Sequence, residues 1–306
     1  RNVIDRWLAA DPGTITGRIL LATILFQTKQ VDDAEQLLTR LFNDHPDRPE
    51  VLAINASLYR ETNRLESFIS RLEELRTRQP DNQDVVQRLV SLYVEQGRVS
   101  DATRVIDATR AAVASDADLL YYVAHLYQMV DQNQTTEEVL AEVIKLDPRH
   151  AAANNDLGYT WVDRGEKLDE SEAMIRIAVE VEPDNQSFLD SLGWVLYKRA
   201  KFEEALKYFE LAVGPAAFPD PVVLDHLGDV QYRLNDPKKA LQTWKRAEER
   251  LSETRSERDD LRQLRLVLRQ KIPAAEKGQP VSVAPVAVET PPRQTDRAPK
   301  NDAALP

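Results

Sequence analysis

The sequence predicts an all-α solenoid of stacked helix-turn-helix hairpins, closed by a C-terminal capping helix and followed by a disordered tail. Three observations carry this reading. A pattern of 34, occasionally 35, residues recurs from Ile15 to about Glu253. Each copy holds two stretches whose apolar residues recur at the spacing of one helical face. Proline stands near the end of four copies, at Pro46, Pro80, Pro148 and Pro183, and closes a second helix there because it cannot continue the hydrogen-bond ladder. Two short amphipathic helices cannot bury both faces alone, so each pair must stack on copies of itself.

The pattern is clearest from Gln186 to Asp220. In its first half Leu189, Leu192, Gly193 and Leu196 fall at i, i+3, i+4 and i+7; after a break at Arg199–Lys201, Phe202, Ala205, Phe209 and Ala212 follow the same spacing. Gly193 and Ala205 lack bulk where the two helices approach, so Phe209 and Leu196 can interdigitate across them. Laid back along the chain, the copies run Ile15–Arg48, Pro49–Asn82, Gln83–Asp116, Ala117–His150, Ala151–Asn185, Gln186–Asp220 and Pro221 to about Glu253, about seven units over residues 15–253. Ala22, Ala56, Val90, Ala124, Gly158 and Gly228 occupy the place of Gly193, with Val90 the poorest fit. Ala34, Phe68, Ala102, Thr136, Ser171 and Ala240 occupy that of Ala205, where Phe68 departs from the rule.

Residues 1–14 read as the remnant of a preceding unit, since Asn2–Pro12 has the form of a second helix with its closing proline. This predicts further chain upstream. Residues 254–272 are expected to form a capping helix, with Leu261, Leu264, Val267 and Leu268 on one stripe covering the last hairpin. From residue 273 to 306 prolines are scattered among Ala, Val, Gln and Thr without periodicity. Such a segment has too little core-forming surface to offset its ordering entropy, and it is expected to be a disordered, dispensable spacer.

Composition narrows the function. Forty Lys and Arg face 51 Asp and Glu among 306 residues, a formal charge of −11, which argues against non-specific nucleic-acid binding. The chain has no cysteine, hence no disulfide and no thiolate chemistry. No apolar run approaches the roughly 18 residues of a membrane span. His45, His125, His150 and His226 are far apart and outside any metal spacing; phosphate-loop, dinucleotide and nucleophile-elbow motifs are absent. The reading is therefore of a non-enzyme, with no catalytic residue, no metal and no cofactor.

The leucine and small residue of each first helix, the alanine of the second and the closing proline together resemble the tetratricopeptide repeat (TPR) family, most strongly from Ala151 onward, in the manner of its bacterial members. The resemblance implies a right-handed superhelix whose first helices line a concave groove, with positions 2, 5, 9, 12 and 13 of each unit facing it. The candidate partner-binding residues are then Tyr121, His125, Asn155, Tyr159, Asp163, Asp190, Trp194, Tyr197, Lys198, Asp225, Asp229, Tyr232 and Arg233, an aromatic strip with polar handles. Trp194 is the foremost of these, whereas Trp161 and Trp244 sit in core slots. The charged members are free either to bind a charged peptide or to pair with one another.

Two functions follow. The first is an interaction scaffold holding a segment of another protein, in settings such as bacterial envelope, secretion or polysaccharide assembly. The second is a regulatory or substrate-presenting arm of an enzyme whose catalytic domain lies upstream. Self-association through exposed end repeats is a third reading. The residues do not choose between the bacterial cytoplasm and the cell envelope or periplasm.

Overall fold

The computed structural model describes residues 14–46, 48–214, 219–253 and 258–287. All regular elements among them are helices: α1 (Ile15–Gln27), α2 (Val31–Asp44), α3 (Pro49–Glu61), α4 (Leu65–Arg78), α5 (Gln83–Glu95), α6 (Val99–Ala112), α7 (Ala117–Met129), α8 (Asn133–Leu146), α9 (Ala151–Arg164), α10 (Leu168–Val181), α11 (Gln186–Lys198), α12 (Phe202–Val213), α13 (Pro221–Arg233), α14 (Pro237–Glu253) and α15 (Asp259–Glu276). Consecutive helices pair as hairpins from α1/α2 to α13/α14, and each unit read from the sequence begins on the first residue of a helix. The second helices that precede Pro46, Pro80, Pro148 and Pro183 each end two residues before the proline.

The helices fall into two compact units, divided after Pro148. The N-terminal unit holds four hairpins and the C-terminal unit three, with α15 packed on α14 and α13. Inside each unit a second helix leans on the next first helix, and first helices also meet one another: α1 with α3, α3 with α5 and α5 with α7, then α9 with α11 and α11 with α13. This is the stacking that buries a hairpin's second face.

Local chemistry explains the repeated geometry. Six of the seven first helices are started by a side chain that accepts a hydrogen bond from an otherwise orphaned N–H of the first turn: Thr14, Asn82, Asp116, His150, Asn185 and Asp220. In α3 and α13 proline takes the first helical position, where it has no N–H to satisfy. Each first helix is followed within two residues by one left-handed residue, at Lys29, Asn63, Gly97, Asp131, Gly165, Ala200 and Asn235, all with φ between 55° and 73°. The next N–H reaches back to a carbonyl of the last turn, as Arg64 N does to Tyr59 O at 2.8 Å and Lys201 N to Leu196 O at 2.9 Å. That single reversal aims every second helix back along the first.

The small residues mark the closest crossings. A methyl group on Gly193 would stand 2.7 Å from the Phe209 ring, and one on Gly228 only 2.4 Å from Trp244 Nε1. Ala22, Ala56, Val90 and Ala124 occupy the same place and are fully buried. Phe68, the departure from the rule, is absorbed by an aromatic cluster, stacking on Tyr59 at 5.4 Å and meeting Phe42 edge-on at 5.6 Å.

The C-terminal boundary differs from expectation. The capping helix starts at Asp259 and runs through Pro273 to Glu276, past the predicted end at 272. Residues 279–287, assigned to the disordered tail, instead lie against the C-terminal unit, with Val281 buried. Residues 288–306 and the upstream remnant Asn2–Pro12 lie outside the described residues.

Candidate functional site

The candidate residues belong to two different units. Tyr121 and His125 lie on α7 of the N-terminal unit, their rings edge to face at 4.5 Å. His125 is exposed and borders a pocket of about 440 Å³ with Gln83, Gln87, Tyr122, Gln128 and Met129. The other eleven lie in the C-terminal unit, on α9, α11 and α13.

Within that unit, Trp194 organises the face. Its ring stacks with those of Tyr197, at 5.3 Å and 8°, and His226, at 4.3 Å and 17°. The Lys198 ammonium lies over the same ring at 4.8 Å. Positions 9 and 12 of one first helix stack because they are three residues apart on a helix; His226 comes from the neighbouring first helix. The His226 ring nitrogen Nδ1 lies 3.0 Å from Asp190 Oδ1. Burial opposes a charge on this imidazole, but Asp190, with Asp225 and Asp229, outweighs it and raises the pKa above its ordinary value. The indole N–H of Trp194 is buried and has no hydrogen-bond partner.

Asp225 and Asp229 pair neither with Lys198 nor with Arg233 nor with each other. Both grip Lys271 of the capping helix, whose Nζ lies 2.8 Å from Asp225 Oδ1 and also bonds Asp229 Oδ1. All three are less than one-tenth exposed. Burial, reinforced by Asp229, raises the Asp225 pKa against the pull of Lys271. Trp244, in its predicted core slot, donates from Nε1 to Asp229 Oδ1 at 3.1 Å. Asp229 thus ties the hairpin core, the capping helix and the groove face into one network.

The face is already covered by the chain itself. Residues 279–287 cross it from α13 towards α11 and the turn at Gly165. Val281 N donates to Tyr232 Oη at 2.9 Å, Ala284 N to Asp229 Oδ2 at 2.9 Å, and Ala287 N to the Lys198 carbonyl at 2.9 Å. The Ala284 carbonyl accepts from Tyr197 Oη at 2.6 Å and from Arg233 at 2.8 Å. Burial pushes the Tyr197 pKa up to about 12, with Arg233 pulling the other way. A cavity of about 520 Å³ lies beside the segment, bordered by Trp194, His226, Asp229, Lys271, Val283 and Pro285.

The remaining candidates lie at the edge of this arrangement. Asn155 is buried and donates to Asp156, with its own Oδ1 unpartnered; Tyr159 is half-buried and Asp163 exposed. Burial raises the Tyr159 pKa, helped by Asp190 and Asp163, and burial lowers that of Lys198. Sequence reasoning missed His226, Lys271 and the covering segment. One signal for Lys271 was present: the stripe Leu261, Leu264, Leu268 continues onto Lys271 and Ile272, which sets a lysine on an apolar face. Among the described residues no cluster of His, Cys, Asp or Glu could hold a metal ion, and no helix is long and apolar enough to cross a membrane.

The comparisons agree with this architecture. The tetratricopeptide repeat family model matches residues 9–257. The chain belongs to that family. The TPR repeat-containing protein PA4667 of Pseudomonas aeruginosa is 31% identical over 173 residues, 54% of this chain. The match spans 28% of that relative's length. Among solved structures, PilW, described as a widely conserved type IV pilus biogenesis factor, is similar at 19% identity with a TM-score of 0.51, over 64% of this chain and 86% of its own. A tetratricopeptide repeat protein from Parabacteroides merdae is similar at 16% identity with a TM-score of 0.50, over 82% of this chain and 97% of its own. These two likenesses concern the fold. TPR repeats are protein-interaction modules, and this chain is one of that kind.

Proposed function

We propose that the protein is a non-enzymatic scaffold whose first-helix faces hold extended segments of partner proteins, with its main site on the C-terminal unit. The observation that carries this reading is the seating of residues 279–287 on α11 and α13, held through backbone groups by Tyr197, Lys198, Asp229, Tyr232 and Arg233. A surface that orders an extended peptide with paired donors and acceptors is built to read peptides. The cavity beside the segment supports the same reading, since it leaves room for side chains of an incoming chain. The similarity to a pilus biogenesis factor is consistent with a role in assembling envelope or secretion machinery.

Site-specific photo-crosslinking in the native host tests this. A photoreactive residue at exposed Asp163, on the first-helix face, is expected to trap a discrete protein partner; one at exposed Glu210, on a second helix, is not. Adducts from Glu210 alone, or from neither site, would overturn the reading.

A further inference from the structure

We propose that residues 279–287 are a resident ligand, and that the C-terminal face recognises proline-flanked polyproline II segments of small apolar residues, which must displace it. The inference rests on the scaffold reading above and names the chemistry of its partner.

Three features of the segment define that chemistry. Its backbone N–H contacts fall at Val281, Ala284 and Ala287, every third residue, which is the repeat of a polyproline II helix. Pro280 and Pro285 stand beside these positions, and proline both favours that conformation and has no N–H to leave unsatisfied. The face beneath is aromatic, with Trp194, Tyr197 and Tyr232 supplying flat apolar walls and hydroxyl handles, the usual means by which polyproline II peptides are gripped. The side chains at the contact positions are Val and Ala, so affinity comes from the backbone and from fit to a narrow track. A carboxylate at Ala284 would meet Asp229, whose Oδ2 takes the Ala284 N–H, and would be repelled.

The segment is also built to be displaced. It has no helix or strand of its own between Gln279 and Ala287, and the turn at Lys277–Gly278 joins it to α15. A tethered segment of this kind competes at an effective concentration on the order of millimolar. It therefore excludes weak ligands and yields to a partner that binds more tightly or more than once.

The test uses the full chain. A fluorescent peptide of the sequence QPVSVAPVAV, residues 279–288, is titrated by anisotropy into wild type and into the variant Val281→Asp/Ala284→Asp, which frees the face without touching it. The released variant is expected to bind at least tenfold more tightly than wild type, and a peptide N-methylated at the position of Ala284 is expected to lose most of that affinity. Hydrogen exchange on wild type provides a second reading that does not depend on the variant's folding. Excess unlabelled peptide should speed exchange of the amides of residues 281–287 while leaving α11 and α13 protected. Equal affinity for both proteins, no saturable binding to the released variant, or unchanged exchange would overturn the proposal. Crosslinking from Asp163 in that event would leave the scaffold reading standing with a different ligand.

Discussion

Where a first helix crosses its partner, the N-terminal unit sets Ala22, Ala56, Val90 and Ala124 in register with Leu38, Leu72, Ile106 and Leu140. The C-terminal unit sets Gly158, Gly193 and Gly228 in register with Ile175, Phe209 and Trp244. All seven large partners are buried. Removing the last methyl lets an aromatic ring lie directly on the backbone of the facing helix, which buries more apolar surface per hairpin. The exchange also changes what the crossing residue can do. Leu and Ile end in methyl groups, whereas Trp244 carries an N–H that reaches Asp229 on the groove face. In the C-terminal unit, core packing and the face covered by residues 279–287 are therefore one connected structure.

The sharpest way to break that connection is Lys271→Ala. It leaves Asp225 and Asp229 buried without their cation, and a loss of about 3 to 5 kcal/mol is expected in chemical denaturation of the C-terminal unit. A loss below about 1 kcal/mol would mean that the carboxylates are neutral or hydrated.

Gly228→Ala tests the crossing itself. Helix propensity alone would favour alanine by about 1 kcal/mol, but the added methyl would meet the fully buried Trp244 ring, and a net cost of about 1 to 3 kcal/mol is expected in a thermal melt. Ala124→Gly in the N-terminal unit should cost about 1 kcal/mol through propensity. Equal gains from alanine at both sites would remove the distinction between the units.

The smallest effect concerns pH. The pKa of His226 is raised in the folded state, so its contribution to stability is full below the unfolded value of about 6.5 and is lost as pH rises through the folded pKa. Melting midpoints should therefore decline as pH rises above about 6.5 in wild type, and this step should vanish in His226→Gln. A step that survives the substitution would assign it to another group.

The repeat was legible because one packing rule recurs: small residue, large partner, closing proline. All seven first helices start where the period places them. The turns were less legible. Gly97 and Gly165 announce a left-handed residue, and Asn63, Asp131 and Asn235 tolerate one, but Lys29 and Ala200 adopt the same conformation with no local signal for it. Of the site, the positions on α9, α11 and α13 were legible from register, but not what they hold. Asp225 and Asp229 find their cation 46 and 42 residues away, a distance that no local spacing encodes. The covering segment was hidden for a different reason. It is held mainly through its N–H and C=O groups, which nearly every residue possesses, so its composition still reads as disorder.

The order in which contacts form follows from sequence separation. Each hairpin closes over a short loop, whereas Tyr197 and Ala284 are 87 residues apart in the chain. Contacts between distant residues are slow to form because the intervening chain must first be brought together. Ribosomal synthesis reinforces this order, since α11 and α13 emerge before residues 279–287. For an interval in the life of each molecule α11 and α13 are made while residues 279–287 do not yet exist, so the proposed site is uncovered during translation and closed to weak ligands only after it.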